Sequence, residues 1–313
     1  MWSSYRRIIA LVPPGESRIV SKTDVSVVIP AYNAAETISI AIESALNLVG
    51  PRVVVVDDGS RDGTAEIAQR FGVEVIRQMN AGVSAARATG LERVSSDFVI
   101  FLDSDDRLLA TWESALAVMR NQPSVAVVAG AVMRFGSARN RIVVSSLKAE
   151  NSESLLKRPY APWPISAALW RVSSVRDAQN LSVPALNHRY ADDYELLIRC
   201  SLVGAVVTVP EPFAMYAISG GKSTKDSLSA VRGSERVRRH YATALGVPAI
   251  EPLRPIDVKR AARWRQLIGN YYESGTLNII RDVILSPIMW APLVNRAMSG
   301  IREHVATDRM REL

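Results

Sequence analysis

Acidic side chains occur in two short runs whose composition suits the binding of a hard metal ion. The first run is Asp57-Asp58 and the second is Asp103-Ser104-Asp105-Asp106, and each comes directly after a run of apolar residues. Carboxylate oxygens are the ligands that Mg²⁺ and Mn²⁺ prefer, and such a cation also holds a diphosphate. Because Asp-Gly and Asp-Ser sequences are equally common in turns, either run alone is also consistent with ordinary turn chemistry.

The apolar runs that precede these acids are predicted to be strands of a mostly parallel sheet. Strands are predicted at 25–29, 53–56, 73–76 and 98–102, alternating with helices that start at about 34 and span 64–71 and 83–94. This alternation is typical of an α/β fold, in which ligands bind beyond the carboxyl ends of the strands. We therefore expect the two acidic runs and the segment Pro30-Ala31-Tyr32-Asn33 to meet at one edge of the sheet.

The pattern loosens in the second half of the chain. Helices are predicted at 112–120 and 190–202, and strands at 125–132, 141–144 and 206–209. Residues 151–161 are predicted to be a polar connection, and the chain from 227 onward is predicted to be helical. A boundary near 220–230 separates the α/β unit from a helical tail.

Composition excludes several classes of protein. With 48% hydrophobic and 22% charged residues the chain has the composition of a globular protein. The single cysteine, Cys200, excludes an intramolecular disulfide framework and any multi-cysteine metal site. No signal peptide and no membrane-spanning segment is evident, which favours a cytoplasmic protein.

The net charge of +7 is concentrated in the last third of the sequence. Residues 232–313 hold 14 Lys and Arg against 8 Asp and Glu, which is +6 and leaves +1 for residues 1–231. A nucleic-acid partner is therefore not expected for the front of the chain. The basic tail, together with the apolar stretch 283–294, suits the surface of an anionic membrane, although a solvated basic helix face explains it equally well.

Four ordered motifs resemble those of the family 2 glycosyltransferases. They span 27–33 (VVIPAYN), 54–64 (VVVDDGSRDGT), 80–87 (NAGVSAAR) and 101–106 (FLDSDD), and the resemblance extends over about 24–220. It implies a GT-A fold, with a nucleotide-sugar half at 24–120 and an acceptor half at 121–225. The domain division that follows has an N-terminal extension at 1–23 and a basic helical region at 226–313.

The resemblance also implies roles for individual residues. Asp103 and Asp105 would form the Asp-x-Asp motif around Ser104, with Asp105 on a Mn²⁺ or Mg²⁺ ion and Asp103 directed toward the ribose or sugar as well as the metal. Arg87 would lie near the nucleotide sugar. The remaining nucleotide contacts would come from Pro30, Ala31, Tyr32, Glu36, Asp57 and Asp58.

The second half supplies a candidate base in Tyr190-Ala191-Asp192-Asp193 at the start of a predicted helix. The segment is similar to the family's Glu-Asp motif, with Asp192 in place of glutamate and Asp193 at the position of the catalytic base. Inverting transfer needs one base to accept the proton of the acceptor hydroxyl. A carboxylate at a helix N-terminus is also favoured by the helix dipole, so capping is the alternative.

The expected activity is inverting, metal-dependent transfer of a single sugar from a nucleotide-diphospho-sugar, with UDP as the nucleotide, to an acceptor hydroxyl. The expected acceptor is a glycan or a lipid-linked saccharide of the cell surface, and the expected location is cytoplasmic at the inner face of the plasma membrane. A homodimer is a further expectation. The alternatives are a sugar nucleotidyltransferase on a related sheet and a non-catalytic glycan-binding scaffold.

Overall fold

The computed structural model describes residues 24–48, 52–135, 140–143, 150–158, 160–186, 190–217, 226–247 and 252–274. The predicted N-terminal extension at 1–23 and the apolar stretch 283–294 lie outside these residues. None of the described helices is both long enough and apolar enough to cross a membrane.

The first half of the chain is a parallel sheet with helices between its strands. The four strands are β1 (Val25–Ala31), β2 (Arg52–Asp57), β3 (Glu74–Arg77) and β4 (Phe98–Phe101), and the helices between them are α1 (Ile38–Leu46), α2 (Thr64–Gln69) and α3 (Val83–Glu92). The strands lie in the order β3-β2-β1-β4, and all three pairings are parallel. Strands β1, β2 and β4 carry runs of buried apolar residues because helices cover both faces of the sheet.

The second half extends the same sheet with strands of mixed direction. These strands are β5 (Arg107–Leu108), β6 (Val125–Phe135), β7 (Asn140–Val143), β8 (Ala168–Arg171) and β9 (Ala205–Ala217). They follow β4 in the order β4-β8-β6-β9-β5, with β7 paired to β6. Strand β8 runs antiparallel to β4 and β6, while β6 and β9 are parallel. The helices are α4 (Glu113–Asn121), α5 (Ser152–Leu156), α6 (Val172–Gln179), α7 (Asp192–Ser201), α8 (Ser227–Ala244) and α9 (Pro255–Ser274).

The α/β prediction is confirmed, and the structure differs from it at particular elements. Strand β1 continues through Pro30, which is in register with Val56 of β2, instead of ending before it. Helix α1 begins at Ile38 and not near 34. The predicted connection at 151–161 contains helix α5, whose start is fixed by a capping box between Asn151 and Ser154.

Strand β9 spans 13 residues where only 206–209 was predicted. Its pairing with β6 shifts register on both sides of Ala131, the partner of Pro212, so the strand passes its prolines at an irregularity. Gly130 permits this path, because a Cβ there would lie 2.3 Å from the Phe213 ring and 2.6 Å from the Glu211 carbonyl oxygen. Strand β9 ends at Ala217, beside the acidic loop that follows β4.

One hydrophobic core joins both halves of the sheet and helix α8. Val237 and Tyr241 of α8 are fully buried in the same cluster as the valines of β1. The Tyr241 hydroxyl donates to Glu195 Oε1 at 2.8 Å and accepts from Arg199 at 2.7 Å, which ties α8 to α7. Helix α8 is thus packed as part of the α/β body, and α9 packs on its other side through Val258 and Ala262.

Candidate active site

The loop after β2 fixes the backbone of the segment after β1. The Asn33 N–H donates to Ser60 Oγ at 2.9 Å, and the Asn33 side chain accepts from the Arg61 N–H at 2.9 Å. The Ala34 N–H donates to Thr64 Oγ1 at 2.8 Å. Asn33 has a positive φ of 49°, a conformation that asparagine tolerates better than most residues. These bonds hold Pro30, Ala31 and Tyr32 at the carboxyl edge of the sheet, while Glu36 lies exposed just before α1.

The carboxylates of Asp57 and Asp58 are both buried and engaged by protein groups. Asp57 accepts from the Ser60 N–H at 3.2 Å and pairs with Arg77 Nε at 3.2 Å. Asp58 accepts from the side chain of Gln78 and from the backbone N–H groups of Ala81 and Gly82, all at 2.8–2.9 Å. Asp58 therefore holds the loop that leads into α3. Asp57 Oδ2 accepts no hydrogen bond within the described part of the chain, so this carboxylate has acceptor capacity left for a base.

Helix α3 carries Arg87 and packs closely on the sheet. A Cβ at Gly90 would lie 2.3 Å from Val28 Cγ1 and 3.2 Å from Val56 Cγ2, so glycine at this position lets α3 approach β1 and β2. Arg87 lies almost one helical turn before Gly90. Its side chain is only 9% exposed and is directed from the sheet toward the acidic loops.

Arg87 joins the two acidic motifs of the chain. Its Nη2 donates to Asp103 Oδ1 at 2.6 Å, and its Nη1 pairs closely with Asp192 Oδ2 across 105 residues of sequence. Burial lowers the pKa of Arg87, but the charges of Asp192, Asp103 and Asp193 raise it by more, so the net shift is upward and the guanidinium stays charged. The two halves of the sheet therefore meet at one cation.

The loop after β4 presents its acids unequally. Asp105 is exposed and Asp103 is 31% exposed, whereas Asp106 is buried. Asp106 Oδ1 accepts from the Ala217 N–H at 3.0 Å, which attaches the loop to the end of β9. Burial, together with the charges of Asp105 and Asp103, holds the pKa of Asp106 well above its usual range. Asp103 and Asp105 thus face outward, while Asp106 anchors the loop.

Asp192 and Asp193 open helix α7 after Ala191, which has a positive φ of 67°. Burial raises the pKa of Asp192 to about 6 even though Arg87 opposes the shift. Burial also raises the pKa of Asp193, again against the effect of Arg87. Asp193 Oδ1 accepts from the Tyr194 N–H at 2.8 Å, which orients the carboxylate at the helix start. A carboxylate with a raised pKa is a better proton acceptor than an ordinary one.

Two contributors to the site were missed from the sequence. Burial raises the pKa of Asp193 and of Tyr216, and the charge of Arg265 on α9 opposes both shifts, so α9 brings a cation near the candidate base. Ser166 Oγ accepts from the Asp103 N–H at 3.1 Å and fixes the start of the acidic loop. Neither Arg265 nor Ser166 belongs to a motif with a characteristic spacing. For Arg265, a helix with several basic residues does not by itself indicate which of them is directed toward the site.

The outward-facing acids fit a metal that is bound jointly by protein and substrate. Among the described residues, no group of three or more His, Cys, Asp or Glu side chains is placed to hold a metal. Asp103 and Asp105 nevertheless provide two carboxylates one residue apart and open to solvent. Mg²⁺ is commonly bound through one or two carboxylates, with substrate phosphates and water completing the shell. The donor set therefore fits Mn²⁺ or Mg²⁺ that binds with a diphosphate.

Comparison with known proteins agrees with this geometry. Residues 26–168 match the family model described as glycosyl transferase family 2. A cholesterol galactosyltransferase of Borreliella burgdorferi is 38% identical over 100 residues, which is 30% of this chain and 28% of that protein. The chain thus spans less than a third of that relative.

Two solved structures share the fold. S. aureus TarS 1–349 in complex with UDP has a TM-score of 0.53 at 16% identity, over 84% of this chain and 75% of that one. The mannosyltransferase PcManGT from Pyrobaculum calidifontis, in complex with GDP-Man and Mn²⁺, has a TM-score of 0.52 at 16% identity, over 97% and 86%. Residues 26–168 are therefore similar to glycosyl transferase family 2, and the chain has the GT-A fold.

Proposed function

We propose that the protein transfers a single sugar from a nucleotide-diphospho-sugar, with UDP as the nucleotide, to an acceptor hydroxyl with inversion at the anomeric carbon. One observation carries the proposal: Arg87 contacts both Asp103 and Asp192, so the candidate donor site and the candidate base lie around a single guanidinium. A transferase needs this juxtaposition because the acceptor hydroxyl must approach the anomeric carbon of the bound donor.

Each residue has a distinct task in the proposed reaction. Pro30, Ala31 and Tyr32 line the nucleotide pocket, with Glu36 at its rim. Asp57 and Asp58 shape that pocket through the loops they hold. Asp193 accepts the acceptor proton as the new bond to the anomeric carbon forms. The electron pair of the breaking bond moves to the diphosphate oxygen.

The acidic loop would receive the metal. Asp105 and Asp103, with Ser104 between them, would hold Mn²⁺ or Mg²⁺, and that ion would stabilise the charge of the leaving diphosphate. Arg87 holds Asp103 and keeps Asp192 beside the base. The Mn²⁺ in the mannosyltransferase neighbour supports a divalent ion here.

The test measures donor binding and transfer separately. We expect Asp105→Asn to abolish Mn²⁺-dependent UDP binding in isothermal titration, and Asp193→Asn to retain that binding while transfer falls by about 10³-fold or more. Matched controls are Asp97→Asn, exposed before β4, and Asp177→Asn, exposed on α6; both should behave as wild type. Near wild-type transfer by a folded Asp193→Asn protein would remove Asp193 from the role of base.

The same titration separates the alternatives. A scaffold that had lost catalysis would show no metal-dependent UDP binding. A sugar nucleotidyltransferase would release diphosphate from a sugar phosphate and a nucleoside triphosphate, which can be measured directly. The cell-surface acceptor, the homodimer, the cytoplasmic location and the association with an anionic membrane stay predictions. Co-sedimentation with anionic and neutral vesicles tests the last of these.

A further inference from the structure

The outer face of α8 carries three arginines that have no acidic partner in the described part of the chain. Arg232, Arg236 and Arg239 are all exposed and follow one another at spacings of four and three residues. That spacing places them on one side of the helix, about 5–6 Å apart between Cβ atoms. None of the three makes an ion pair with a residue that the structure describes. Like charges at this spacing destabilise a helix, so the arrangement is costly unless something else binds it.

These arginines lie in a trough of about 710 Å³, which we call the α8 trough. Its floor is the outer face of α8, and Leu186 and Val258 of α9 contribute to its lining. His240 also lines it and is fixed by a contact of 2.9 Å between its Nε2 and the Pro184 carbonyl oxygen. Glu235 is the one carboxylate among the described lining residues. It is already bound by Arg238 at 2.8 and 3.1 Å and by the Leu253 N–H at 2.9 Å.

The α8 trough is attached to the helix that bears the candidate base. The Leu186 N–H donates to Glu195 Oε1 at 2.8 Å, and the same oxygen accepts from the Tyr241 hydroxyl of α8 at 2.8 Å. Glu195 lies three residues after Asp192, which is about 4.5 Å of helical rise. A ligand held in the trough is therefore near α7, on a rigid support.

We propose that the α8 trough binds an acidic acceptor glycan, a saccharide chain that carries phosphate or carboxylate groups, while the end of that chain reaches Asp193. The inference that the ligand is the acceptor rests on the proposed function, whereas binding of an oxyanion chain does not. Arginine forks recognise both phosphate and carboxylate oxygens. A concave surface with three cations in a row suits a chain better than the flat surface of a bilayer.

The experiment uses the full chain and two soluble probes, a linear polyphosphate of about 15 units and an oligogalacturonate of about eight, with orthophosphate for comparison. The variant is Arg232→Gln/Arg236→Gln/Arg239→Gln. The control, Arg70→Gln/Arg93→Gln/Lys157→Gln, removes the same charge from exposed positions elsewhere. We expect the Kd for at least one chain probe to rise about tenfold or more in the trough variant only. Its salt dependence should become shallower. The preferred probe distinguishes phosphate from carboxylate.

Equal loss of binding in both triple variants would mean that the probes respond only to the net charge of the protein, which would overturn the proposal. Binding of anionic phosphatidylglycerol vesicles without binding of either chain would overturn it too, because the arginines would then face a bilayer. UDP binding with Mn²⁺ is measured in parallel and should be unchanged in the trough variant. If the wild type does not bind UDP, the proposed function is contradicted. If the wild type binds UDP but the trough binds neither chain probe, only the trough proposal is contradicted, so the two failures are distinguishable.

Discussion

Arg87 should contribute strongly to stability because it is the buried cation between two acidic motifs. In Arg87→Met the apolar side chain fills part of the space but leaves Asp192, 14% exposed, without its partner. Removing one member of a buried ion pair typically costs about 3–5 kcal/mol. The lost contact with Asp103 adds less to this destabilisation, because Asp103 is 31% exposed and water can replace the guanidinium as its partner. We therefore expect Arg87→Met to lower the free energy of unfolding by about 3–5 kcal/mol at pH 8.

The loss should be smaller in acid. Burial raises the pKa of Asp192 to about 6, and Arg87 opposes that shift, so removing Arg87 raises the pKa further. Below that pKa Asp192 is protonated and no longer leaves an unpaired buried charge. The difference in unfolding free energy between wild type and Arg87→Met should therefore shrink as the pH falls from 8 to 5.

Urea denaturation followed by circular dichroism at several pH values measures both quantities. The matched control is Arg93→Met at the end of the same helix, where the side chain is 58% exposed and pairs with Glu74 at 3.8 Å. An exposed pair of this kind contributes about 0–1 kcal/mol. A loss in Arg87→Met no larger than that in Arg93→Met, or a loss independent of pH, would refute the assignment of Arg87 as the buried link.

Three further substitutions test neighbouring parts of the site. Asp192→Asn should flatten the pH profile of stability. A native pKa of about 6 against an unfolded value near 3.8 means that the free energy of unfolding of the wild type falls by about 2 kcal/mol between pH 4 and 6.5, and urea titrations over this range measure the slope. Gly90→Ala should lower the free energy of unfolding by about 1–3 kcal/mol, because the new Cβ would clash with Val28. In a double-mutant cycle, Val28→Ala should make room for that Cβ and reduce the loss, whereas additive effects of the two substitutions would contradict the clash. Asp58→Ala should lower the free energy of unfolding by about 2–4 kcal/mol and expose the Ala81 amide to hydrogen exchange, because that amide loses its acceptor. Unchanged protection of the Ala81 amide would show that Asp58 does not anchor this loop.

Local patterns in the sequence were sufficient to predict the parallel half of the fold. The valine runs of β1 and β2 are buried on both faces, and a continuous apolar run is the signature of that environment. Helix α5 was missed although Asn151 and Ser154 form a capping box, because five residues are too few to show a helical period. Only the start of strand β9, 206–209, was predicted, because Pro210 and Pro212 follow it; a register shift against β6 accommodates these prolines and lets the strand continue to Ala217.

Motifs predicted which side chains lie at the sheet edge but not how they share their contacts. The pairing of Arg87 with Asp192 joins residues 105 positions apart, and no local spacing encodes it. Asp57 and Asp58 form one motif, yet only the structure shows that each carboxylate accepts a hydrogen bond from a protein donor. Arg265 could not be selected from a helix with several arginines, because the choice depends on how α9 packs on α8.

The charges around Arg87 give an electrostatic reason for a divalent ion, in addition to the motif itself. Four carboxylates and two cations interact electrostatically around this point: Asp103, Asp105, Asp192 and Asp193, with Arg87 and Arg265. Asp106 is left out of this count, because burial holds its pKa well above the usual range and so disfavours its charged form. Four negative and two positive charges leave a surplus of two negative charges, which a single divalent cation would neutralise. A diphosphate bound without the cation would meet this surplus directly, so UDP affinity should depend steeply on Mn²⁺ or Mg²⁺ concentration.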